Sequence, residues 1–223
     1  MSIIRTENLG QVYRTGRIEV VALRMVNLTI EGGDFFAIAG PSGSGKTTLL
    51  NVIGALDSPT HGRIFLEEED LTSASSARLA EIRLKKIGFV FQAFNLIPVL
   101  NAFENVEYVL LLQGVPELER KKRVLEALIE VGLKDCIYRR PLDLSSGQQQ
   151  RVAVARAIVA EPRLVLADEP TANLDSKTGA GLMDLLIDLN QRKGITFVFS
   201  THDPMIVQRA RRVAYLKDGQ IEK

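Results

Sequence analysis

The chain has 223 residues, of which 46% are apolar and 25% are charged. This length suits one sizeable domain, and the composition is typical of a globular protein that buries a core, which excludes a disordered or fibrous chain. Lysine and arginine total 28 against 27 aspartate and glutamate residues, so the formal net charge is +1. Because there is no broad excess of positive charge, we expect no nucleic acid among the partners.

The N-terminus and the single cysteine bear on the cellular compartment. Residues 1–5 lack the basic stretch and apolar core of a signal peptide, and no segment approaches the roughly 20 apolar residues that span a bilayer. Cys136 has no second cysteine to pair with, which fits a reducing compartment, and we expect a small side chain that is buried or half-buried rather than a nucleophile. These features predict a cytoplasmic chain that reaches a membrane only at its surface.

The first third of the chain is predicted to contain a strand, a glycine-rich loop, a helix and another strand. Residues 35–39 form a short, fully apolar run that leads into the loop. A helix over residues 48–56 and a strand over residues 63–66 follow, with a turn between them that contains His61. We assign His61 no functional role.

The middle and the end of the chain differ in the spacing of their apolar and charged residues. Between about residues 75 and 160, charged periodic segments predict a helical subdomain, interrupted only by an apolar strand at residues 87–91. From residue 163, alternating strands and helices predict a parallel α/β sheet that ends in a hairpin at Asp218 and Gly219. These elements are predicted at residues 164–167, 176–192, 196–200, 213–216 and 220–222.

Residues 40–47 read Gly-Pro-Ser-Gly-Ser-Gly-Lys-Thr and fit the phosphate-loop pattern G-x-x-x-x-G-K-[S/T], between a predicted strand and a predicted helix. Backbone N–H groups of such a loop converge on phosphate oxygens, Lys46 contacts the β and γ phosphates, and Thr47 offers a hydroxyl to Mg²⁺. The predicted nucleotide site here comprises Gly40, Pro41, Ser42, Gly43, Ser44, Gly45, Lys46, Thr47 and Thr48.

Polar residues follow three other predicted strands. Asp168 and Glu169 end the apolar run at residues 164–167, where Asp168 would orient Mg²⁺ and Glu169 would accept a proton from the attacking water or orient it. Gln92 would reach Mg²⁺ and the same water, and His202 would hydrogen-bond the γ phosphate. The carboxyl ends of parallel strands meet at one edge of the sheet, so we expect these side chains to converge.

A Ser-rich segment, Leu144-Ser-Ser-Gly-Gln-Gln, opens another predicted helix. Ser145 can be explained as an ordinary N-cap. A second interpretation is that Ser145, the Gly147 N–H group and Gln148 lie at a helix N-terminus that binds the γ phosphate of ATP held by another subunit. Both interpretations remain open.

Five features follow one another along the chain: the phosphate loop, the strand ending in Gln92, the L-S-x-G-Q helix start, the carboxylate pair and the strand ending in His202. In this order they resemble ABC transporter nucleotide-binding domains, and the resemblance covers essentially the whole chain. The resemblance implies an α/β fold: a RecA-like P-loop NTPase core with an N-terminal antiparallel β subdomain (residues 1–92 and 162–223) and an inserted helical subdomain (residues 93–161). It also implies a head-to-tail homodimer around two Mg-ATP, with Tyr13 stacked on adenine and Asp175 at the dimer boundary. From sequence alone, Asp175 is a helix cap.

The chain departs from the usual family pattern at Ser146, which replaces the first glycine of L-S-G-G-Q. We expect this change to retune or weaken dimer closure at most.

Residues 54–62 and 87–98 look most like the lipoprotein-releasing and macrolide-exporting ATPases, which serve a separate membrane permease from the cytoplasmic face of the cell membrane. The docking strip is expected to begin at Ala93 and end at Glu104. Its apolar members are either exposed for docking or part of the subdomain core: Phe94, Leu96, Ile97 and Phe103.

Two other classes of protein share this architecture. An ABC ATPase that acts on DNA would carry a long coiled coil between Lys46 and Asp168, and no heptad run fills that stretch. A ribosome-acting ABC factor would normally carry two such domains and a charged linker. The ATPase of a solute importer differs only in the subgroup motifs, so it remains the alternative within the family.

Overall fold

The computed structural model describes residues 1–16 and 18–222. Its strands are β1 (Ser2–Thr15), β2 (Ile18–Glu31), β3 (Phe35–Ala39), β4 (His61–Leu66), β5 (Glu69–Asp70), β6 (Ile87–Val90), β7 (Leu164–Asp168), β8 (Thr196–Thr201), β9 (Arg212–Lys217) and β10 (Gln220–Ile221). Its α-helices are α1 (Lys46–Ile53), α2 (Ser76–Lys86), α3 (Ala102–Leu112), α4 (Glu117–Glu130), α5 (Ser146–Ile158), α6 (Ser176–Lys193) and α7 (Pro204–Arg209).

The strands form two sheets. An antiparallel sheet has the order β2-β1-β4-β5, and the second sheet has the order β10-β9-β3-β8-β7-β6, in which only the β9–β10 pair is antiparallel. Every residue of β3 and β8 is buried, as expected for parallel strands with both faces covered. The predicted α/β class with an N-terminal antiparallel sheet is confirmed.

The strand register places the predicted site residues at one edge. Ala39 pairs with Thr201 and Asp168 pairs with Ser200, so the chain leaves β3, β7 and β8 on the same side of the sheet. The phosphate loop, Glu169 and His202 therefore start from neighbouring points, as the ligand-binding edge of an open α/β sheet requires.

Helices α3, α4 and α5 pack on one another, and α5 also packs on β6. Their apolar side chains share one core with Phe35, Phe197 and Phe199 of the parallel sheet. The helical segment thus has no separate core within the part of the chain that the structure describes. The boundaries predicted at residues 93 and 161 stay a prediction.

The structure corrects one detail of the sequence analysis and decides one alternative that it left open. His61 was predicted in a turn, but it lies in strand β4 and pairs with Gly10 of β1. The hydrogen bond from the Thr60 N–H to the Gly10 carbonyl, at 2.9 Å, extends the pairing of the two strands to this point. Phe103 is only 8% exposed and belongs to the core, so for this residue the core alternative is confirmed. The capping box of Asn101 and Glu104 starts α3 at Ala102, which turns Phe103 inward.

The remaining apolar residues of the predicted docking strip differ in exposure. Leu96 is partly buried and packs against the core, and Phe94 is also partly buried. Ile97 is 36% exposed. The strip is therefore only partly accessible to a partner. Among the described residues, no helix combines the length and the apolar character that a bilayer crossing needs.

Candidate functional site

A cleft of about 700 Å³ lies at the carboxyl edge of the parallel sheet. It brings together most of the residues predicted for nucleotide binding and catalysis, together with three apolar residues of β2 that the sequence analysis missed. The predicted members in its lining are Tyr13, Pro41, Ser42, Gly43, Gly45, Lys46, Thr47, Thr48, Gln92, Glu169 and His202. The additional members are Val20, Val21 and Ala22.

The phosphate loop lines this cleft and packs closely against the rest of the fold. A Cβ on Gly40 would lie 2.1 Å from the Leu216 carbonyl oxygen, and Gly45, with φ of 103°, caps α1 in the left-handed region. Lys46 is 7% exposed, and its Nζ donates to the carbonyl oxygens of Gly40 (2.8 Å) and Pro41 (2.9 Å). Ser44 is buried below the cleft rather than in its lining. The loop therefore holds an ammonium group at the start of a helix, where anions bind.

Thr47 and Asp168 offer the oxygen ligands that Mg²⁺ prefers. The Thr47 hydroxyl lies 3.2 Å from each carboxylate oxygen of Asp168, across the gap between α1 and β7. Among the described residues, no cluster of three or more His, Cys, Asp or Glu side chains suits a metal. Mg²⁺ is commonly held by one or two protein oxygens together with substrate phosphates and water, so this pair fits that ion.

Glu169 is held in place by the end of β8. The imidazole Nδ1 of His202 lies 2.6 Å from Glu169 Oε1, and the Thr201 hydroxyl donates to Oε2 at 3.2 Å. Glu169 also has a positive φ of 44°, an uncommon conformation for this residue type and one that clusters at functional sites. Thr201 was missed, although its place at the end of a buried strand beside His202 was a usable signal.

Tyr13 lines the cleft and is 37% exposed. Its hydroxyl donates to Asp57 Oδ2 at 2.8 Å. Partial burial and then this hydrogen bond raise the pKa of Tyr13 above its ordinary value. Asp57 was not predicted as a site residue, since its sequence position indicates only a turn.

The loop that follows Gln92 is anchored from two sides. The side-chain amide of Asn173 donates to the Gln92 carbonyl at 2.8 Å. Arg156 of α5 donates to the carbonyl oxygens of Phe94 (2.8 Å) and Asn95 (2.5 Å), and burial lowers the pKa of this guanidinium. Gln92 thus stands on a loop that is attached to both α5 and the segment before α6.

The remaining predicted residues lie outside the cleft. Ser145 caps α5: its hydroxyl accepts from the Gln148 N–H at 3.3 Å, and Gln148 Oε1 accepts from the Ser145 N–H at 2.9 Å. The Gln148 amide also donates to the Sγ of Cys136 at 3.3 Å, and Cys136 is a buried free thiol, as expected. Gly147 is the second residue of α5.

Asp175 caps α6 and so confirms the helix-cap interpretation. Its carboxylate accepts from the N–H groups of Lys177 (3.1 Å) and Thr178 (3.0 Å) and from the Thr178 hydroxyl (2.5 Å). The hydroxyl hydrogen bond is the main cause that lowers the pKa of Asp175. The structure does not bring Asp175 into the cleft of its own chain.

Thr178 also explains why residue 147 is a glycine. A Cβ at Gly147 would lie 2.4 Å from the Thr178 Cγ2, and the bond from Thr178 to Asp175 hinders rotation of that side chain. We expect Gly147→Ala to lower the free energy of unfolding by about 1–3 kcal/mol through overpacking. Chemical denaturation measures this change.

Two further variants make that expectation specific. Adding Thr178→Ser removes the methyl group, keeps the hydroxyl, and should restore much of the stability lost in Gly147→Ala. Gly181→Ala in α6 is the matched control, because its added Cβ meets only the end of Arg151 at 3.8 Å. An equal loss of stability at Gly181 would show that crowding against Thr178 is not the cause.

Comparison with known proteins places this chain in a family. Residues 23–172 match the family model described as ABC transporter. The ABC transporter ATP-binding proteins YvrO of Bacillus subtilis and MJ0796 of Methanocaldococcus jannaschii are each 46% identical to the chain; the alignments cover 98% and 99% of this chain and 95% and 96% of theirs. The macrolide export ATP-binding/permease protein MacB of Syntrophobacter fumaroxidans is 43% identical, over the whole chain but only 31% of its own length.

A solved structure is similar at the level of the fold as well. The dimeric structure of MJ0796 in a post-hydrolysis state, bound to ADP and Pi, superposes with a TM-score of 0.92 over 99% of this chain and 97% of that one. The phosphate loop, the L-S-x-G-Q helix start and the carboxylate pair follow one another in this order along the chain. The chain therefore belongs to the ABC transporter family, as one of its ATP-binding and ATP-hydrolysing cassettes.

Proposed function

We propose that the chain acts as a head-to-tail homodimer that holds two Mg-ATP, hydrolyses them, and drives a separate membrane permease of the exporter or lipoprotein-release type. One observation carries the dimer: Ser145, Gly147, Gln148 and Asp175 stand outside the cleft, whose lining holds most of the other predicted site residues. A second copy can supply them across an interface. The dimeric structures of MJ0796 support the formation of a dimer.

Within one subunit, the cleft is arranged for phosphate transfer to water. The loop N–H groups and Lys46 bind the phosphates, and Tyr13 stacks on adenine. Thr47 and Asp168 would hold Mg²⁺ with help from Gln92, and the ion would neutralise charge on the phosphate oxygens. Catalysis then rests mainly on positioning and on stabilisation of charge.

Glu169 and His202 serve the hydrolytic step. Glu169 accepts a proton from the attacking water or orients it, and the contacts of its carboxylate with Thr201 and His202 hold it at the strand end. His202 is 68% exposed at its side chain, so its imidazole can also turn toward the γ phosphate. Gln92 senses the same phosphate from its loop.

The second half of each site comes from the start of α5 in the partner subunit. Ser145 and the Gly147 N–H group would contact the γ phosphate at a helix N-terminus. Ser146 is the first residue of α5 and is exposed, so it fits the helix without displacing its neighbours. This placement supports a retuned rather than an abolished dimer closure.

A mixing experiment tests the composite site. Ser145→Asp keeps a good N-cap but sets a negative charge against the γ phosphate, and Lys46→Ala damages the phosphate half. Each variant alone should have little ATPase activity. Random assortment makes half of the dimers mixed, each with one complete site, so an equal mixture should regain about a quarter of wild-type activity.

The control for this experiment mixes Lys46→Ala with Glu169→Gln. Both changes damage the same half of the site, so no mixed dimer contains a complete site and activity should stay low. If Ser145→Asp and Lys46→Ala also fail to complement each other, the two halves do not belong to different subunits and the head-to-tail arrangement is wrong.

A second cavity, of about 550 Å³, supports a contact with a permease beside the Gln92 loop. Its apolar wall includes Leu56, Phe89, Phe91 and Leu112, and Asn95 connects it to the strip that begins at Ala93. The similarity to MacB supports an exporter-type permease on the cytoplasmic face of the cell membrane over a solute importer. Affinity purification from membranes, followed by identification of the co-eluting protein, tests this assignment.

A further inference from the structure

Asp57 lies beside Tyr13, which lines the cleft, and its carboxylate accepts a hydrogen bond from the Tyr13 hydroxyl at 2.8 Å. We propose that Asp57 is a positioning residue for nucleotide binding, which holds the ring of Tyr13 in the orientation on which adenine stacks. This inference rests on the proposed stacking role of Tyr13. Asp57 itself need not touch the nucleotide.

The ring of Tyr13 needs such a support. It is 37% exposed, and no other aromatic ring stacks on it among the residues that the structure describes. An exposed aromatic side chain populates several rotamers, and fixing one of them on ligand binding costs entropy. A hydrogen bond at the ring's far end selects one rotamer before the nucleotide arrives.

Asp57 is attached to the helix that carries the phosphate loop. The N–H groups of Leu56 and Asp57 donate to the Asn51 carbonyl of α1 at 2.9 and 3.3 Å. The same helix begins at Lys46. The hydrogen bond from Tyr13 to Asp57 therefore connects Tyr13 to the helix that carries the phosphate loop.

The strand that carries Tyr13 is fixed by the same segment. The Thr60 N–H donates to the Gly10 carbonyl at 2.9 Å, and the Thr60 hydroxyl accepts from the Val12 N–H at 3.0 Å. With the backbone held in this way, the main freedom left to Tyr13 is rotation of its side chain. Within the described residues, no lysine or arginine pairs with Asp57, so its carboxylate is available to the tyrosine hydroxyl.

The test removes the two partners separately and together in the full chain. Tyr13→Phe deletes only the hydroxyl, and Asp57→Ala deletes only its acceptor. Each should raise the Kd for ATP by about 3- to 10-fold, the value of one hydrogen bond, and the double variant should lose no more than either single one. Asp57→Asn keeps a carbonyl acceptor and should retain most of the affinity.

Two readouts separate positioning from general damage. The affinity for inorganic triphosphate, which has no base, should not change in Asp57→Ala, and the KM for ATP should rise while kcat changes by less than about twofold. Asp135→Ala, at an exposed aspartate far along the chain, is the control and should leave all values unchanged. Additive losses, or an equal loss of triphosphate affinity, would overturn the proposal.

Tyr13→Ala distinguishes failure of this inference from failure of the proposed function. If Tyr13→Ala weakens ATP binding and Asp57→Ala does not, only the positioning role of Asp57 is wrong. If Tyr13→Ala leaves ATP affinity unchanged, adenine does not stack there, and the role of Asp57 is refuted together with that of Tyr13.

Discussion

Glu169→Gln is expected to lower the kcat for ATP hydrolysis by about 10²–10⁴-fold, the usual contribution of a general base. The amide has the shape of the carboxylate but cannot accept a proton from water. ATP binding should survive, because Lys46 and the phosphate loop are untouched, so the variant should accumulate as an ATP-bound dimer. Steady-state phosphate release measures the rate, and size-exclusion chromatography with ATP measures the dimer.

A matched control for this variant is Glu161→Gln. Glu161 is exposed and also has a positive φ, of 52°, but it lies in a turn at the opposite end of β7. Its replacement should change neither the rate nor the oligomeric state. Robust turnover in Glu169→Gln would remove Glu169 from its proposed role, even if the dimer forms.

Lys46→Ala should raise the Kd for ATP by about 10- to 100-fold, since a hydrogen bond between charged groups contributes roughly 1.5–3 kcal/mol. The ammonium group is buried at the base of the cleft and already donates to two loop carbonyls, so little rearrangement is needed for it to meet phosphate oxygens. Titration calorimetry with ATP and Mg²⁺ measures the affinity.

Lys122→Ala, on the exposed face of α4, is the control for a lost positive charge and should bind ATP like the wild type. Thermal unfolding of both variants without nucleotide shows whether the fold is retained. An unchanged ATP affinity in a folded Lys46→Ala protein would refute the assignment of the phosphate loop.

Several parts of the site were predictable from sequence because they depend on local chain geometry. The phosphate loop at Gly40–Thr47 is one continuous segment whose glycines permit its turns. Asp168 ends a buried strand, Glu169 and His202 directly follow buried strands, and the carboxyl ends of parallel strands must meet at one edge. The helix starts at Ser145 and Asp175 were visible as N-caps for the same local reason.

Other features depended on contacts between residues far apart in the chain. Nothing in the sequence pairs Tyr13 with Asp57, Gly147 with Thr178, or Glu169 with Thr201, because such contacts follow from how helices and strands pack. Exposure of the docking strip was decided in the same way: the start of α3 turned Phe103 into the core.

The sequence by itself determined the ATP-binding chemistry, since residue type, spacing and strand ends are local properties of the chain. Only the tertiary structure decided which side chains support that chemistry and which residues a single subunit leaves outside its own cleft. The physical reason is that the orientation and burial of a side chain depend on all the elements packed around it, and a local segment of sequence specifies only one of these elements.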